Sequence, residues 1–194
     1  MNKKYKGMSH SMRGIIGASH NNGDIREEND FYATDPIAGE WLCKLENLNH
    51  HIWECACGEG HLGKVFEKNG HDVLATDLIN RGYGRGGVDF LKTDILWDGD
   101  IVTNPPYKLA KEFIEHSLEL LQEGSKCCMF LKVQFLEGQE RKKLFTTQPP
   151  KTIYVSSSRI KCGKNGVFAP SMIAYAWYVW EKGYTGNTTL KWFN

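Results

Sequence analysis

The sequence predicts an α/β fold in which a central sheet lies between two layers of helices. Short apolar runs typical of strands alternate with amphipathic patterns typical of helices along most of the 194 residues. The run from Lys126 to Val133 is apolar almost throughout, as expected of a strand covered on both faces. A glycine-rich turn, residues 58–63, stands between a predicted strand and a predicted helix. In such folds, ligands bind at the carboxyl ends of the strands.

The composition describes an ordinary globular protein. Hydrophobic residues make up 41% of the chain and charged residues 24%, which are proportions typical of a domain with one core. The formal net charge is only +1, so binding of a polyanion would need a local basic patch. No apolar run reaches membrane-spanning length and the first residues lack a signal-peptide pattern. We therefore expect a cytoplasmic protein without a membrane partner.

Residues 1–29 are rich in Gly, Ser, Asn and charge, which predicts a flexible N-terminal segment ahead of a single folded domain, residues 30–194. The cysteines show no CxxC spacing, so we expect them to be reduced, mostly buried and free of metal. They are Cys43, Cys55, Cys57, Cys127, Cys128 and Cys162.

The first predicted helix begins at residues 34–36. Thr34 or Asp35 can cap it, and Pro36 suits its first turn. The free N–H groups at such a helix start also suit a carboxylate. The apolar residues at helical spacing are Ile37, Trp41, Leu45 and Leu48.

Residues 51–60 (HIWECACGEG) are predicted to form a short strand that enters the glycine turn. Glycines there let the backbone approach a bound ligand. The spacing Gly58-x-Gly60-x-x-Gly63 also satisfies the dinucleotide fingerprint, and Asp77 ends the next predicted strand, as a ribose-binding acid should. A nicotinamide-binding protein is therefore one alternative. The glycine-rich loop that follows, residues 80–87, can cover a cofactor or reach a nucleic acid.

The tetrapeptide Asn104-Pro105-Pro106-Tyr107 follows a predicted strand, Asp100 to Thr103, and precedes a helical pattern. Its two prolines fix φ and remove two backbone donors, so we expect the nearby carbonyls to have no helix or ladder partner. The turn then offers acceptors and almost no donors. The side-chain oxygen of Asn104 and the carbonyl of Pro105 can each accept one N–H of an amine, while Tyr107 stacks on the attached ring. Such a turn suits a planar molecule with an exocyclic NH2 group.

Together and in this order, these motifs resemble the class I S-adenosylmethionine-dependent methyltransferases, above all the phage-type N6-adenine DNA methyltransferases. The resemblance covers residues 30–182. It implies a Rossmann-like, three-layer fold with a mostly parallel sheet of about seven strands, the last one antiparallel. It also implies S-adenosylmethionine as cofactor and methyl transfer to N6 of an adenine flipped out of DNA. Residues 30–194 would then be the methyltransferase catalytic domain.

The resemblance also assigns roles to residues. Catalysis falls on Asn104, Pro105, Pro106 and Tyr107. Substrate contacts fall on Tyr107, on Phe168 at the opposite edge of the base and on Arg159 at a phosphate or the base. Cofactor contacts fall on the YxTDP segment, on the E-x-A-x-G-x-G turn and on two later acidic positions. These cofactor residues are Tyr32, Thr34, Glu54, Ala56, Cys57, Gly58, Gly60, Asp77, Leu78, Asp94 and Asn104.

Several alternatives stay open. The same tetrapeptide also serves enzymes that methylate RNA bases or a glutamine amide of a protein. A non-catalytic subunit that keeps the cofactor fold as a scaffold is a further alternative. Restriction-associated relatives usually carry an added recognition domain, whereas this chain has only short loops for reading bases. We therefore expect DNA as the partner, with RNA as the alternative, and weak selectivity, a homodimer or a separate specificity partner.

Overall fold

The computed structural model describes residues 33–160, 162–163 and 173–194, with the backbone alone at 162 and 163. The predicted N-terminal segment, residues 1–29, lies outside the described residues, as do the predicted contacts Tyr32 and Phe168. No helix in the described ranges is long and apolar enough to cross a membrane.

Helices and strands alternate as the sequence predicts. The strands are β1 (Ala33–Thr34), β2 (His51–Glu54), β3 (Asp72–Ala75), β4 (Asp100–Thr103), β5 (Lys126–Lys132), β6 (Thr152–Ser156), β7 (Cys162–Gly163), β8 (Tyr175–Glu181) and β9 (Thr189–Phe193). The α-helices are α1 (Ile37–Leu45), α2 (Gly63–Lys68), α3 (Ala110–Leu120) and α4 (Gln139–Thr147). Short 3-10 helices span Phe90–Lys92, Tyr107–Leu109 and Val133–Leu136.

The main sheet has seven strands in the order β3-β2-β4-β5-β8-β6-β9. Its pairs are parallel except those of β8, which runs antiparallel to both neighbours, β5 and β6. The predicted fold class, a mostly parallel α/β sheet of seven strands, is confirmed. The antiparallel strand was predicted to be the last one, whereas β9 follows the antiparallel β8 and adds a parallel edge to β6. A separate two-stranded ribbon pairs β1 with β7.

Two apolar layers cover the sheet because neighbouring strand residues face opposite sides. Trp53 of β2 packs with α3 on one side, among residues such as Phe113 and Ile114. Ile52 packs on the other side with α1 and α2, among residues such as Leu42 and Phe66. The central strands are therefore buried on both faces, which explains the continuous apolar run in β5.

The start of α1 distinguishes the two predicted cap residues. The carboxylate of Asp35 accepts the N–H of Ile37 at 3.1 Å, so Asp35 supplies the side-chain acceptor. Thr34 lies in β1 instead, and its hydroxyl accepts a hydrogen bond from Asn104.

Asp100 fastens the opposite end of the sheet, where the strands begin. It is 2% exposed, and its two carboxylate oxygens accept the N–H groups of Asn49 and Lys126, each at 2.7 Å. One side chain thus ties β4 to the segment before β2 and to the start of β5.

We expect Asp100→Ala to lower the free energy of unfolding by about 2 kcal/mol, because two partly buried N–H groups lose their acceptor. Urea denaturation at neutral pH measures the change. Asp98→Ala is the matched control, since Asp98 is an exposed acid two residues away. Equal losses in the two variants would contradict this structural role of Asp100.

Candidate active site

The candidate site lies where the strand order of the main sheet reverses. From β2 the chain passes first to β3 on one side and later to β4 on the other. Both β2 and β4 run parallel, with Trp53 opposite Ile101. The glycine turn after β2 and the tetrapeptide after β4 therefore meet at one edge of the sheet. Such reversal points are where open α/β sheets bind ligands.

The glycine turn has a backbone that requires glycine. Gly58 and Gly60 have φ angles of +55° and +79°, a region that side chains disfavour. Gly63, the first residue of α2, lies so close to Glu54 that a Cβ atom would sit 2.6 Å from Glu54 Oε2. The backbone of the turn is thus held directly against the end of β2.

Ala56 and Cys57 lie within this turn. Ala56 is half-buried against the core. Cys57 is buried, and its thiol donates to the carbonyl of Tyr83 at 3.4 Å. Burial, with the nearby acids Glu54 and Asp77, raises the pKa of Cys57 to about 12. The thiol therefore stays protonated and has a packing role.

Glu54 is a buried acid beneath the glycine turn. It is 2% exposed, and within the described ranges its Oε2 atom has no hydrogen-bond partner. Burial raises the pKa of Glu54 well above its usual value, Asp77 and Glu67 raise it further, and the N–H of Gly63 opposes the shift. Thr103, at the end of neighbouring β4, likewise has a buried hydroxyl without a partner in the described part of the chain. A ligand with positive charge or donor groups would satisfy these atoms.

Asp77 fastens the glycine turn. Its two carboxylate oxygens accept the N–H groups of Gly58 and Ile79, each at 2.8 Å. Asp77 is only half-buried, and each carboxylate oxygen can accept a second hydrogen bond. It can therefore hold the turn and a ligand hydroxyl together.

Asp94 is exposed and follows the 3-10 helix Phe90–Lys92. An exposed apolar residue directly follows each of the two acids Asp77 and Asp94. Leu78 is 54% exposed and Ile95 is 56% exposed. Leu78 was predicted to contact a cofactor and Ile95 was not, although each of them is an apolar residue that directly follows an acid.

Tyr83 lies against the glycine turn. Its ring occupies the space that a side chain at Gly60 would fill, and its hydroxyl donates to Glu67 at 2.9 Å. Burial, and the hydrogen bond to Glu67, raise the pKa of Tyr83. Residues 80–87 were predicted either to cover a cofactor or to reach a nucleic acid. The position of Tyr83 against the glycine turn favours the first of these roles.

Asn104 contacts the first strand of the described chain. Its Nδ2 atom donates to Thr34 Oγ1 at 2.8 Å, and Thr34 is 3% exposed. Pairing of β1 with β7, which sets Thr34 opposite Cys162, holds this hydroxyl in place. Two segments predicted separately, YxTDP and the tetrapeptide, are therefore joined by a direct hydrogen bond.

The prolines differ in their carbonyl groups. The Pro106 carbonyl accepts the N–H of Leu109 at 2.9 Å, so the expectation of unpartnered carbonyls is wrong for Pro106. The reason is that the 3-10 helix starting at Tyr107 reaches back to it. No backbone N–H in the described ranges donates to the Pro105 carbonyl, which was the predicted acceptor.

Tyr107 is half-buried and packs against both core layers. Its hydroxyl donates to the hydroxyl of Tyr175 at 3.2 Å. The Nζ atom of Lys132 lies 4.4 Å from the centroid of the Tyr107 ring. Tyr175 and Lys132 were not predicted as site residues. They are distant in the sequence and become neighbours only through the pairing of β5 with β8.

Arg159 is exposed three residues beyond the end of β6. Because β6 runs parallel to β4, Arg159 follows the carboxyl edge of the same sheet. In the described part of the chain, no hydrogen bond or ion pair joins Arg159 to the residues of the glycine turn or the tetrapeptide. Among the described residues, no group of three or more His, Cys, Asp or Glu side chains is arranged to hold a metal ion.

No protein-family model and no curated protein matches this sequence. Solved structures do match. A candidate class I S-adenosylmethionine-dependent methyltransferase from Listeria monocytogenes aligns with a TM-score of 0.60 at 12% identity, over 95% of this chain and 70% of that one. A candidate RNA methyltransferase from Pyrococcus horikoshii aligns with a TM-score of 0.56 at 12% identity, over 76% and 82%.

The modification subunit of a candidate type I restriction enzyme from Vibrio vulnificus aligns with a TM-score of 0.55 at 14% identity. That alignment covers 92% of this chain and 47% of the subunit, so this chain spans about half its length. Identities this low show similarity of fold. The chain has the class I methyltransferase fold.

We expect Glu54→Gln to stabilise the ligand-free protein at pH 8 relative to wild type, because burial raises the pKa of Glu54 in the native state. The raised pKa means that the native state keeps a proton that the unfolded chain releases above about pH 4.3. The free energy of unfolding of wild type therefore falls as the pH rises from about 4.3 towards the raised pKa of native Glu54. That of Glu54→Gln should not fall in this way, because glutamine cannot ionise. Urea denaturation at pH 4 and pH 8 measures the difference, which should shrink towards the lower pH.

Glu59→Gln is the matched control, because Glu59 is an exposed acid in the same turn. It should change stability little at either pH. Lower stability of Glu54→Gln than of wild type at pH 8 would contradict an unpaired carboxylate at this position.

Proposed function

We propose that this chain is an S-adenosylmethionine-dependent methyltransferase that methylates the N6 amine of adenine in DNA. One observation carries the proposal: the acceptor-rich tetrapeptide lies at the carboxyl end of β4, beside the glycine turn, with Asn104 oriented by Thr34 at 2.8 Å. Because Thr34 accepts from the NH2 group of Asn104, the amide oxygen lies on the opposite side of the amide. An acceptor is thus presented next to a cofactor-type turn.

The residues of the turn fit the cofactor. S-adenosylmethionine, when bound, supplies a methyl group on a positively charged sulfur. The buried acid Glu54 offers a side-chain oxygen without a partner in the described ranges, and a cationic ligand would favour its ionised form. Gly58 and Gly60 let the backbone of the turn approach the ligand closely. Thr34, whose hydroxyl accepts from Asn104 at 2.8 Å, would contact the same end of the cofactor.

The second half of the cofactor site would hold a nucleoside. Asp77 has free acceptor capacity for ribose hydroxyls while it holds Gly58. Leu78 and Ile95 supply exposed apolar surface for a flat ring. Asp94, beside Ile95, can accept from the amine of that ring. This set also suits the nucleoside of a nicotinamide cofactor, but a hydride-transfer enzyme has no use for the acceptor turn at Asn104.

The tetrapeptide would bind the amine that is methylated. The amide oxygen of Asn104 and the carbonyl of Pro105 can each accept one of its hydrogens. An adenine amine is a weak nucleophile because its lone pair is delocalised into the ring. Two acceptors at its hydrogens favour the pyramidal nitrogen that can attack, so catalysis rests on alignment and needs no strong base.

Tyr107 would hold the base. In a duplex, an adenine must first leave the stack, which costs a few kcal/mol. Stacking on an aromatic side chain returns about 1–3 kcal/mol. The ring of Tyr107 is half-exposed and anchored by its hydroxyl at Tyr175, so it offers a fixed platform.

The deciding experiment incubates the protein and labelled S-adenosylmethionine with unmethylated DNA, RNA and total protein, and identifies the product by mass spectrometry. We expect N6-methyladenine in DNA. Asn104→Ala should lower the turnover at least about 100-fold, as loss of a group that acts in the transition state does, while calorimetry finds cofactor affinity within a few fold. Asn187→Ala, a change at an exposed asparagine, is the control.

Each other product would replace the proposal by a named alternative. Label in RNA alone indicates an RNA-base methyltransferase, and label in glutamine indicates a protein methyltransferase. Cofactor binding without any product indicates a non-catalytic subunit. Near-full turnover of Asn104→Ala would refute the catalytic role of the tetrapeptide.

Thr34→Val tests the orientation of Asn104, because valine keeps the shape of threonine and removes the hydroxyl acceptor. We expect the kcat to fall about tenfold, the equivalent of one hydrogen bond of about 1.4 kcal/mol. Thr34→Ser keeps the hydroxyl and should retain most of the activity. Steady-state kinetics separate the two roles of Thr34: a loss confined to the KM for the cofactor would contradict the positioning role.

A further inference from the structure

Strand β5 extends past the end of β4. Its pairing with β4 ends where Thr103 lies opposite Met129, whereas β5 continues for three more residues to Lys132. At about 3.3 Å per residue, this extension is about 10 Å long. Lys132 therefore lies beside the turn that follows β4 and not beneath it.

The end of β5 is held firmly by β8. Lys132 lies opposite Tyr175 in the sheet, and the Tyr178 hydroxyl donates to the Lys132 carbonyl at 3.2 Å. Tyr175 is 3% exposed and its ring stacks on Phe130 with a centroid distance of 5.2 Å. The backbone of Lys132 is thus fixed, and its side chain carries the ammonium group to 4.4 Å from the ring centroid of Tyr107.

The charge of Lys132 has no counterion in the described part of the protein. Lys126, at the start of the same strand, pairs with Glu46 at 2.9 Å, and Lys151 pairs with Glu181 at 2.6 Å. No carboxylate of the described residues pairs with Lys132, which is half-buried. The face of an aromatic ring attracts a cation but does not neutralise it. Lys132 therefore keeps a full positive charge beside the residue that would hold the base.

We propose that Lys132 binds a phosphate of the nucleotide whose base stacks on Tyr107, and so selects a nucleic acid over a protein amide. This inference rests on the proposed function. An ammonium group is a donor only, and the methylated amine also presents donors, so the two do not pair. A phosphate is the acceptor that a lysine binds as a point charge.

The test measures the binding constant K of the full-length protein for a fluorescein-labelled DNA duplex that contains adenines. The measurement is made in the presence of S-adenosylhomocysteine at a series of salt concentrations. The slope of log K against log salt is negative, and loss of one phosphate contact decreases its steepness by about 0.9. We expect this decrease in Lys132→Gln, with affinity reduced for every sequence tested. Lys132→Arg keeps the charge and should keep the wild-type slope.

Lys44→Gln is the matched control, because Lys44 also lies over an aromatic ring, 5.0 Å from that of Trp41, but on helix α1. Its slope should equal that of wild type. A wild-type slope in Lys132→Gln, with DNA still bound, would overturn this inference alone. Absence of DNA binding by the wild-type protein would overturn it together with the proposed function. A less steep slope in Lys44→Gln as well would also overturn it, since the effect would then be one of general charge.

Discussion

The parallel pairing of β2 with β4 is the constraint on which the candidate site depends. It sets Trp53 opposite Ile101, so the segments that leave the two strands start side by side at one edge. One segment is the glycine turn and the other is the tetrapeptide at Asn104. A slip of one residue would exchange the two faces of β4 and move Ile101 and Val102 into each other's core layers, where their shapes do not match the packing. The hydrophobic core therefore fixes the register, and the register fixes the distance between the two functional turns.

The site is assembled at a cost to stability. Glu54 and Thr103 end the neighbouring strands β2 and β4, and both have buried side-chain oxygens without partners in the described ranges. A buried carboxylate normally receives a cation or several donors. Here the N–H of Gly63 opposes the rise of the Glu54 pKa while Asp77 adds to it. A cofactor with a positive charge would compensate for this deficit, so the same residue that weakens the ligand-free protein would favour the bound state.

Local patterns in the sequence predicted most of the fold. Apolar runs located strands such as β2, β4 and β5, and the glycine turn and Asp77 were predicted from residue type and spacing alone. The short edge strand β9 was not predicted, and four of its five residues are exposed, among them the apolar Leu190 and Trp192. Contacts between distant segments were not predictable either. The hydrogen bond from Asn104 to Thr34 joins residues 70 positions apart. Lys132 lies near Tyr107 because β5 continues three residues beyond its pairing with β4.

The charge distribution then limits how such a protein can recognise DNA. A net charge of +1 gives little general attraction to a polyanion, so each phosphate contact has to come from a cation near the site. Lys132 beside Tyr107 and the exposed Arg159 beyond β6 both follow the carboxyl edge of the sheet. Phosphate contacts position a duplex but carry no sequence information, which is read at base edges. Under the proposed function, these two cations and the short loops of the described residues would favour weak sequence preference over site-specific recognition.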